Sequence, residues 1–239
     1  AVKDRDAIGA ITAGPEGVTI VTASGAGSPY VQLLKQMGAG MAESGQHVNY
    51  VDVAPMTAKD PTGSAVTALA MPMIFGGMST SAIFSMLFKN SRTKQLIGAL
   101  GVAILGGLVA SSVLYFGFDA LEANFWPTTA VIILGIAAIS TTVLGLNSLL
   151  GFAGLGLGAV TMLFISNQLS GMATGMHWLP SPWGAIGQYL PLGAAGTAIR
   201  SSAFFDGAGM TNSVIVLLCW IIAGITLAAA GAWRARRTG

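Results

Sequence analysis

After residue 60 the chain is a series of long apolar runs divided by short polar breaks. Ala65 to Phe88, Leu96 to Phe116, Thr128 to Leu149, Phe152 to Met172 and Ser213 to Trp233 each reach the roughly 20 residues that a helix needs to cross the hydrocarbon core of a bilayer. No Asp, Glu, Lys or Arg falls within residues 61–88, 95–118, 123–199 or 207–233, and a charge at mid-bilayer costs about 2.5 to 3.5 kcal/mol on insertion scales. The pattern predicts an α-helical polytopic membrane protein, with five transmembrane helices in a domain covering residues 63–239.

The first 60 residues follow other periods. GVTIVTA (Gly17 to Ala23) has the β-branched content of a strand, and HVNYVDV (His47 to Val53) alternates like a second one. Between them, Val31, Leu34, Met37 and Met41 recur at helical spacing. The Ser28 hydroxyl is suited to cap that helix, and Pro29 to its first position. A compact β-α-β unit is expected, within a small α/β domain over residues 1–62 that ends in the linker APMTAKDPTGS (Ala54 to Ser64). The chain opens AVKDRDAIGA, with neither Met nor an apolar leader. The domain is therefore expected to be partial, part of a longer product.

Residues 178–205 fit neither pattern. They are apolar but broken by Pro180, Pro182 and Pro191, and they hold Trp178, Trp183 and Tyr189, aromatic types that favour the membrane–water boundary. A re-entrant or interfacial segment is expected here, with Arg200 and Asp206 at headgroup level. Within the spans, small residues recur four apart: Gly77, Ser81, Ser85; Ala99, Ala103, Gly107, Ser111; Ala137, Thr141, Gly145; Gly154, Gly158; Gly224, Ala228, Ala232. Such faces let helix backbones approach one another in lipid.

Composition agrees with this division. The chain is 53% hydrophobic and 8% charged, against about 25% charged in soluble domains, and half of the charged residues precede residue 61. The net charge of +2 is small and dispersed, which argues against a nucleic-acid surface. Cys219 stands alone, so an intrachain disulfide and a cysteine-based metal site are excluded. Basic residues cluster in the break KNSRTK (Lys89, Arg92, Lys94) and in the C-terminal RARR (Arg234, Arg236, Arg237). The positive-inside rule makes both cytoplasmic, which places the N-terminal domain outside a plasma membrane crossed several times.

Candidate chemistry is sparse. SGAGS (Ser24 to Ser28) lacks a third glycine and a Walker lysine and reads as a tight turn, while GFAGLGLG (Gly151 to Gly158) reads as a helix-packing run. His47 and His177 have no acidic or cysteine neighbour at ligand spacing. Asp119 and Glu122 share a short loop with nothing to suggest an enclosed cleft. No catalytic residue, metal or cofactor is assigned. Asn147, Asn167 and Gln168 lie in or near spans, where they serve either as hydrogen-bonding glue between helices or as the lining of a substrate path. The absence of any ionisable residue deep in a span argues against a proton- or sodium-coupled carrier.

LPSPWGAIGQYLPLGAAGTAIRSSAFFDGAG (Leu179 to Gly209), including Pro182, Trp183, Pro191, Arg200 and Asp206, resembles the segment before the last span of ABC-2 type permeases of the actinobacterial YhgE/Pip-like group; DVAPMTAKDPTGSA (Asp52 to Ala65) is similar in the same proteins. The resemblance covers nearly the whole chain. It implies a six-span architecture with a large extracytoplasmic domain after the first span, so that this chain corresponds to the later five spans. It also implies that FKNSRTK (Phe88 to Lys94) contacts a nucleotide-binding ATPase subunit; the same cations serve equally well as a topology signal. The expected function is the permease subunit of an ATP-driven exporter of an amphipathic or cell-envelope substrate, working as a homodimer or pseudo-dimer among membrane lipids. The alternatives are a membrane-anchored surface receptor or scaffold, as in phage-infection proteins of that group, and, ranked last, an ion-driven carrier.

Overall fold

The computed structural model of the chain describes residues 1–238 apart from Glu16, Asn90, Glu122 and Ala123, and apart from the side chains of Ser28 and Thr238. Its N-terminal part is a three-stranded sheet, β1 (Ala10–Gly14), β2 (Gly17–Thr22) and β3 (Val48–Asp52), in that spatial order. β1 and β2 form an antiparallel hairpin in which Ala10 faces Val21 and Gly14 faces Gly17. β3 lies parallel to β2, reached through α1 (Ser28–Glu43). The expected β-α-β unit is present, and β1 is an addition to it. AITAG carries an alanine pair and a glycine, weak strand formers, so its extended form depends on pairing with β2. Val18, Ile20 and Thr22 alternate into the interior of the domain. Gly17 adopts φ +119°, and a Cβ there would strike the His47 carbonyl, which accepts the Val18 N–H at 2.7 Å. α1 starts where the sequence suggests, with Pro29 in its first turn; the Ser28 hydroxyl expected to cap it lies outside the described residues.

Five helices are long and apolar enough to cross a membrane, and the chain is a multi-span membrane protein. The first span joins α2 (Ser64–Ala68) to α3 (Ala70–Leu87), and the second runs through α4 (Arg92–Ser112) and a π-helical turn to Gly117. The third is α5 (Phe125–Leu150). The fourth comprises α6 (Phe152–Ala159), π-helical turns and α7 (Asn167–Leu169). After α8 (Trp183–Gly187) and α9 (Pro191–Phe204), α10 (Thr211–Thr238) is the fifth. Asp60 fixes the start of the first span: its carboxylate accepts the N–H groups of Ser64 at 2.8 Å and Ala65 at 2.9 Å, satisfying free donors of the first helical turn.

α5 is the hub. Of its apolar window 78% is buried, against 44% for the first span and 22% for each of the other three, so the other spans surround it. The small residues seen in the sequence make the contacts. A Cβ on Gly224 would collide with the Thr141 main chain, one on Gly77 would sit 2.7 Å from Ile139, and one on Gly145 would sit 2.5 Å from the Gly224 carbonyl oxygen. Hydroxyls bridge the same interfaces: Ser81 donates to the Ser140 carbonyl at 2.9 Å and Ser148 to the Ala228 carbonyl at 3.1 Å. Only Gly151 separates the third span from the fourth, giving a tight helical hairpin.

α9 re-enters the bundle. Ser202 meets Thr128 at 3.0 Å, and Ala195 lies against Gly135, so α9 runs antiparallel to the first half of α5. That register brings Pro191 level with the middle of α5. At the tip of this excursion, the Trp220 indole N–H donates to the Tyr189 carbonyl at 2.7 Å. Trp220 is nine residues into α10, a depth of about 13 Å at 1.5 Å per residue.

Candidate functional site

A polar cleft of about 210 Å³ opens where the N-terminal domain meets the bundle. Its walls come from residues 2–8, the start of α1, the loop after the fourth span, and α9. Arg200 is only 4% exposed. One terminal nitrogen donates to the Gly25 carbonyl at 3.0 Å and the other to the Met172 carbonyl at 2.7 Å, so this single side chain ties domain, loop and α9 together. Its Nε–H has no acceptor. Arg5, held at φ +68°, donates to the Thr197 carbonyl at 3.1 Å and to the Ser201 hydroxyl, and its guanidinium lies 5.1 Å from the centre of the Phe205 ring. Burial lowers the Arg5 pKa from its ordinary value.

Among the described residues neither guanidinium has a carboxylate within ion-pair distance. Asp4 and Asp6 reach the same cleft but are exposed, and Asp4 pairs with the Ala1 amino group at 2.9 Å. Tyr30 completes the wall. It is 4% exposed, its ring stands edge-on to Trp178 at 5.7 Å, and its hydroxyl lacks a partner of bonding geometry although the main-chain amides of His177 and Trp178 lie beside it. Gly175 has φ +91°, and a Cβ there would strike the Tyr30 ring. Met176, Thr197 and Gly209 also border a second cavity of about 530 Å³ between α8, α9 and the fifth span, which extends to Tyr189, Ile215 and Val216.

The residues named from sequence are distributed differently. Arg200 is enclosed between domain and bundle, where main-chain carbonyls replace water around its guanidinium. Asp206 is exposed in the turn after α9, at φ +51°, and accepts the Asn124 amide N–H at 3.1 Å. Pro191 is buried at the start of α9, while Pro182 and Trp183 are exposed before and in α8. Asn147 donates to the Ser85 hydroxyl at 2.6 Å, joining the third span to the first. Asn167 and Gln168 close the far end of the fourth span, with Gln168 exposed, so the three amides do not converge on one path. In the basic turn, Arg92 donates to the Gln95 side-chain carbonyl at 3.0 Å, and Gln95 donates to the Phe88 carbonyl at 2.9 Å; Lys89 and Lys94 are exposed.

No family model matches the chain, and neither a curated protein nor a solved structure matches it. Its function therefore has to be argued from its own geometry. SGAGS is a tight turn fixed by Asp52, which accepts the Ser24 N–H at 3.1 Å and its hydroxyl, and a Cβ on Gly25 would collide with Phe204. No group of His, Cys, Asp or Glu suited to a metal occurs among the described residues. Of Asp119 and Glu122, the first pairs with Lys59 at 2.9 Å on the surface, and the second lies outside the described residues. Sequence reasoning missed Arg5 and Tyr30 as site residues. Arg5 sits in the charged run KDRD and reads as solvated, and nothing marks Tyr30 within an amphipathic helix.

Proposed function

We propose that this chain is the permease subunit of an ATP-driven exporter of the ABC-2 type, with its N-terminal domain outside the cell, its C-terminus in the cytoplasm and its ATPase on a separate subunit. The observation that carries this reading is the turn between the first two spans. A topology signal needs only charge, but here buried Gln95 links Arg92 to the Phe88 carbonyl, and Ser91 caps the second span by accepting the Lys94 N–H at 3.4 Å. The result is a fixed corner presenting Lys89 and Lys94, suited to transmit a push from a docked partner. An apolar crevice of about 370 Å³ between the first and second spans, lined by Leu69, Met73, Val102 and Val109, suits an amphipathic cargo. Because α5 is packed by its neighbours, the path in this reading runs between two copies.

That same packing, with 78% of the α5 window buried, favours a second reading, a surface receptor or scaffold. The two are separated by purifying the full-length protein from its native membrane in mild detergent. A stoichiometric subunit with Walker motifs, released when Lys89, Arg92 and Lys94 are replaced by Ala, supports the exporter; a clean preparation whose vesicles show no ATP-dependent transport supports the receptor.

A further inference from the structure

We propose that the cleft between the N-terminal domain and α9 is a binding site for a phosphate ester, held by Arg200, Arg5 and Tyr30. The argument begins with an imbalance of charge and hydrogen bonding. Arg200 is enclosed, its Nε–H lacks an acceptor, and the Tyr30 hydroxyl, beside the His177 and Trp178 amides, has no acceptor for its proton. A buried guanidinium without a carboxylate carries a desolvation penalty of several kcal/mol, which main-chain carbonyls offset only in part. The cleft supplies a second guanidinium, Arg5, with N–H groups beyond its bonds to Thr197 and Ser201. Its acidic residues stay at the exposed rim, with Asp4 engaged by the Ala1 amino group.

Two guanidiniums and a phenol lining one cleft suit a tetrahedral oxyanion, since arginine forks match phosphate oxygens in charge and geometry. The volume of about 210 Å³ admits a phosphate with its ester oxygens. Where the ester substituent goes is also indicated. The cleft shares Met176, Thr197 and Gly209 with the cavity along the fifth span that ends at exposed Tyr189 and Ile215. Trp178, about half exposed, stands edge-on to Tyr30 of the cleft wall, and aromatic side chains of this type favour the headgroup level of a bilayer. A phosphodiester headgroup bound here would direct its chains along the fifth span, whereas a soluble phosphate would occupy the cleft alone. The inference does not rest on the exporter reading, because a receptor would use the same site.

The test uses the full chain in detergent, with inorganic phosphate and short-chain phosphatidylglycerol titrated separately at constant ionic strength and binding read by native mass spectrometry and by the shift in Tm. Tyr30→Phe removes one hydroxyl and keeps the ring against Trp178; Arg5→Gln removes one guanidinium and leaves Arg200 in place. Saturable binding that weakens about tenfold or more in both variants, the loss expected when a charge-assisted bond is removed, supports the site. Binding of the lipid alone identifies a headgroup as the ligand, and displacement of the lipid by inorganic phosphate shows that both use the same cleft. Binding that is unchanged in both variants, or no saturable binding of either compound to the wild-type chain, overturns the proposal.

Discussion

α5 and α9 are both enclosed by protein, yet their sequences look different. α5 is a 26-residue helix of high hydropathy and no charge. α9 has 14 residues, nearly all of them buried, and includes Gly193, Gly196, Arg200, Ser201 and Ser202. Hydropathy therefore does not measure enclosure. α5 satisfies its polar groups inside the bundle, where Thr141 donates to the Ala137 carbonyl at 2.8 Å and Ser140 accepts from Ser81 through its carbonyl. α9 satisfies its own with both spans and segments outside them: Ser202 meets Thr128 of the third span and the Leu192 N–H donates to Ser166 of the fourth, while Arg200 bonds Gly25 and Met172 and Thr197 bonds Gln188. α5 can be placed by the bundle alone, while α9 depends on the domain and loops as well as on the spans.

The sharpest test of that contrast is steric. Gly145→Ile places a branched side chain where even a Cβ is 2.5 Å from the Gly224 carbonyl oxygen and 2.8 Å from Leu227. Loss of monodisperse protein on size exclusion is expected, whereas Gly101→Ile, with nothing within 4 Å, should behave as wild type. Next in size is Arg200→Met, which leaves the Gly25 carbonyl without its donor and the Met172 carbonyl with only the Thr67 hydroxyl at 3.2 Å. A loss of about 1 to 3 kcal/mol follows from one unsatisfied acceptor, and limited proteolysis should show the N-terminal domain released while the five spans stay protected. Equal destabilisation of domain and spans would break the distinction drawn between the helices.

Smaller effects lie within the bundle. Asn147→Ala removes the bond to Ser85 and should lower unfolding stability in detergent by about 0.6 to 1.7 kcal/mol, the range for hydrogen bonds between membrane helices. Ser81→Ala should cost about 0.6 kcal/mol or less, because Ser81 also donates to the Gly77 carbonyl of its own helix. If either substitution instead abolished folding, α5 too would depend on a few polar links and the contrast with α9 would narrow.

Much of the fold was legible in the sequence. The predicted span beginning at Ala65 starts at Ser64, and the one beginning at Phe152 starts at the same residue, because a glycine at positive φ, Gly63 or Gly151, breaks the chain just before each. The small-residue faces were legible for a similar local reason. β1 was not, since AITAG has little strand propensity and is held by its partner. The site was only partly legible. Arg200 stood out as the one charge in residues 123–205, but its enclosure depends on Gly25, which lies 175 residues earlier. Arg5 and Tyr30 carried no signal at all, because their role arises from which surface the domain presents to α9.

The sequence by itself determined that five helices are apolar enough for a membrane and, to within about four residues, where each lies, since the free energy of transferring a side chain to hydrocarbon depends on that side chain and its near neighbours. Only the tertiary structure decided that α5 lies at the centre, that α9 reaches halfway along it, and that two arginines and a tyrosine meet at the domain junction. Those outcomes depend on contacts between distant segments, where shape and hydrogen-bond complementarity, rather than hydropathy, select the arrangement.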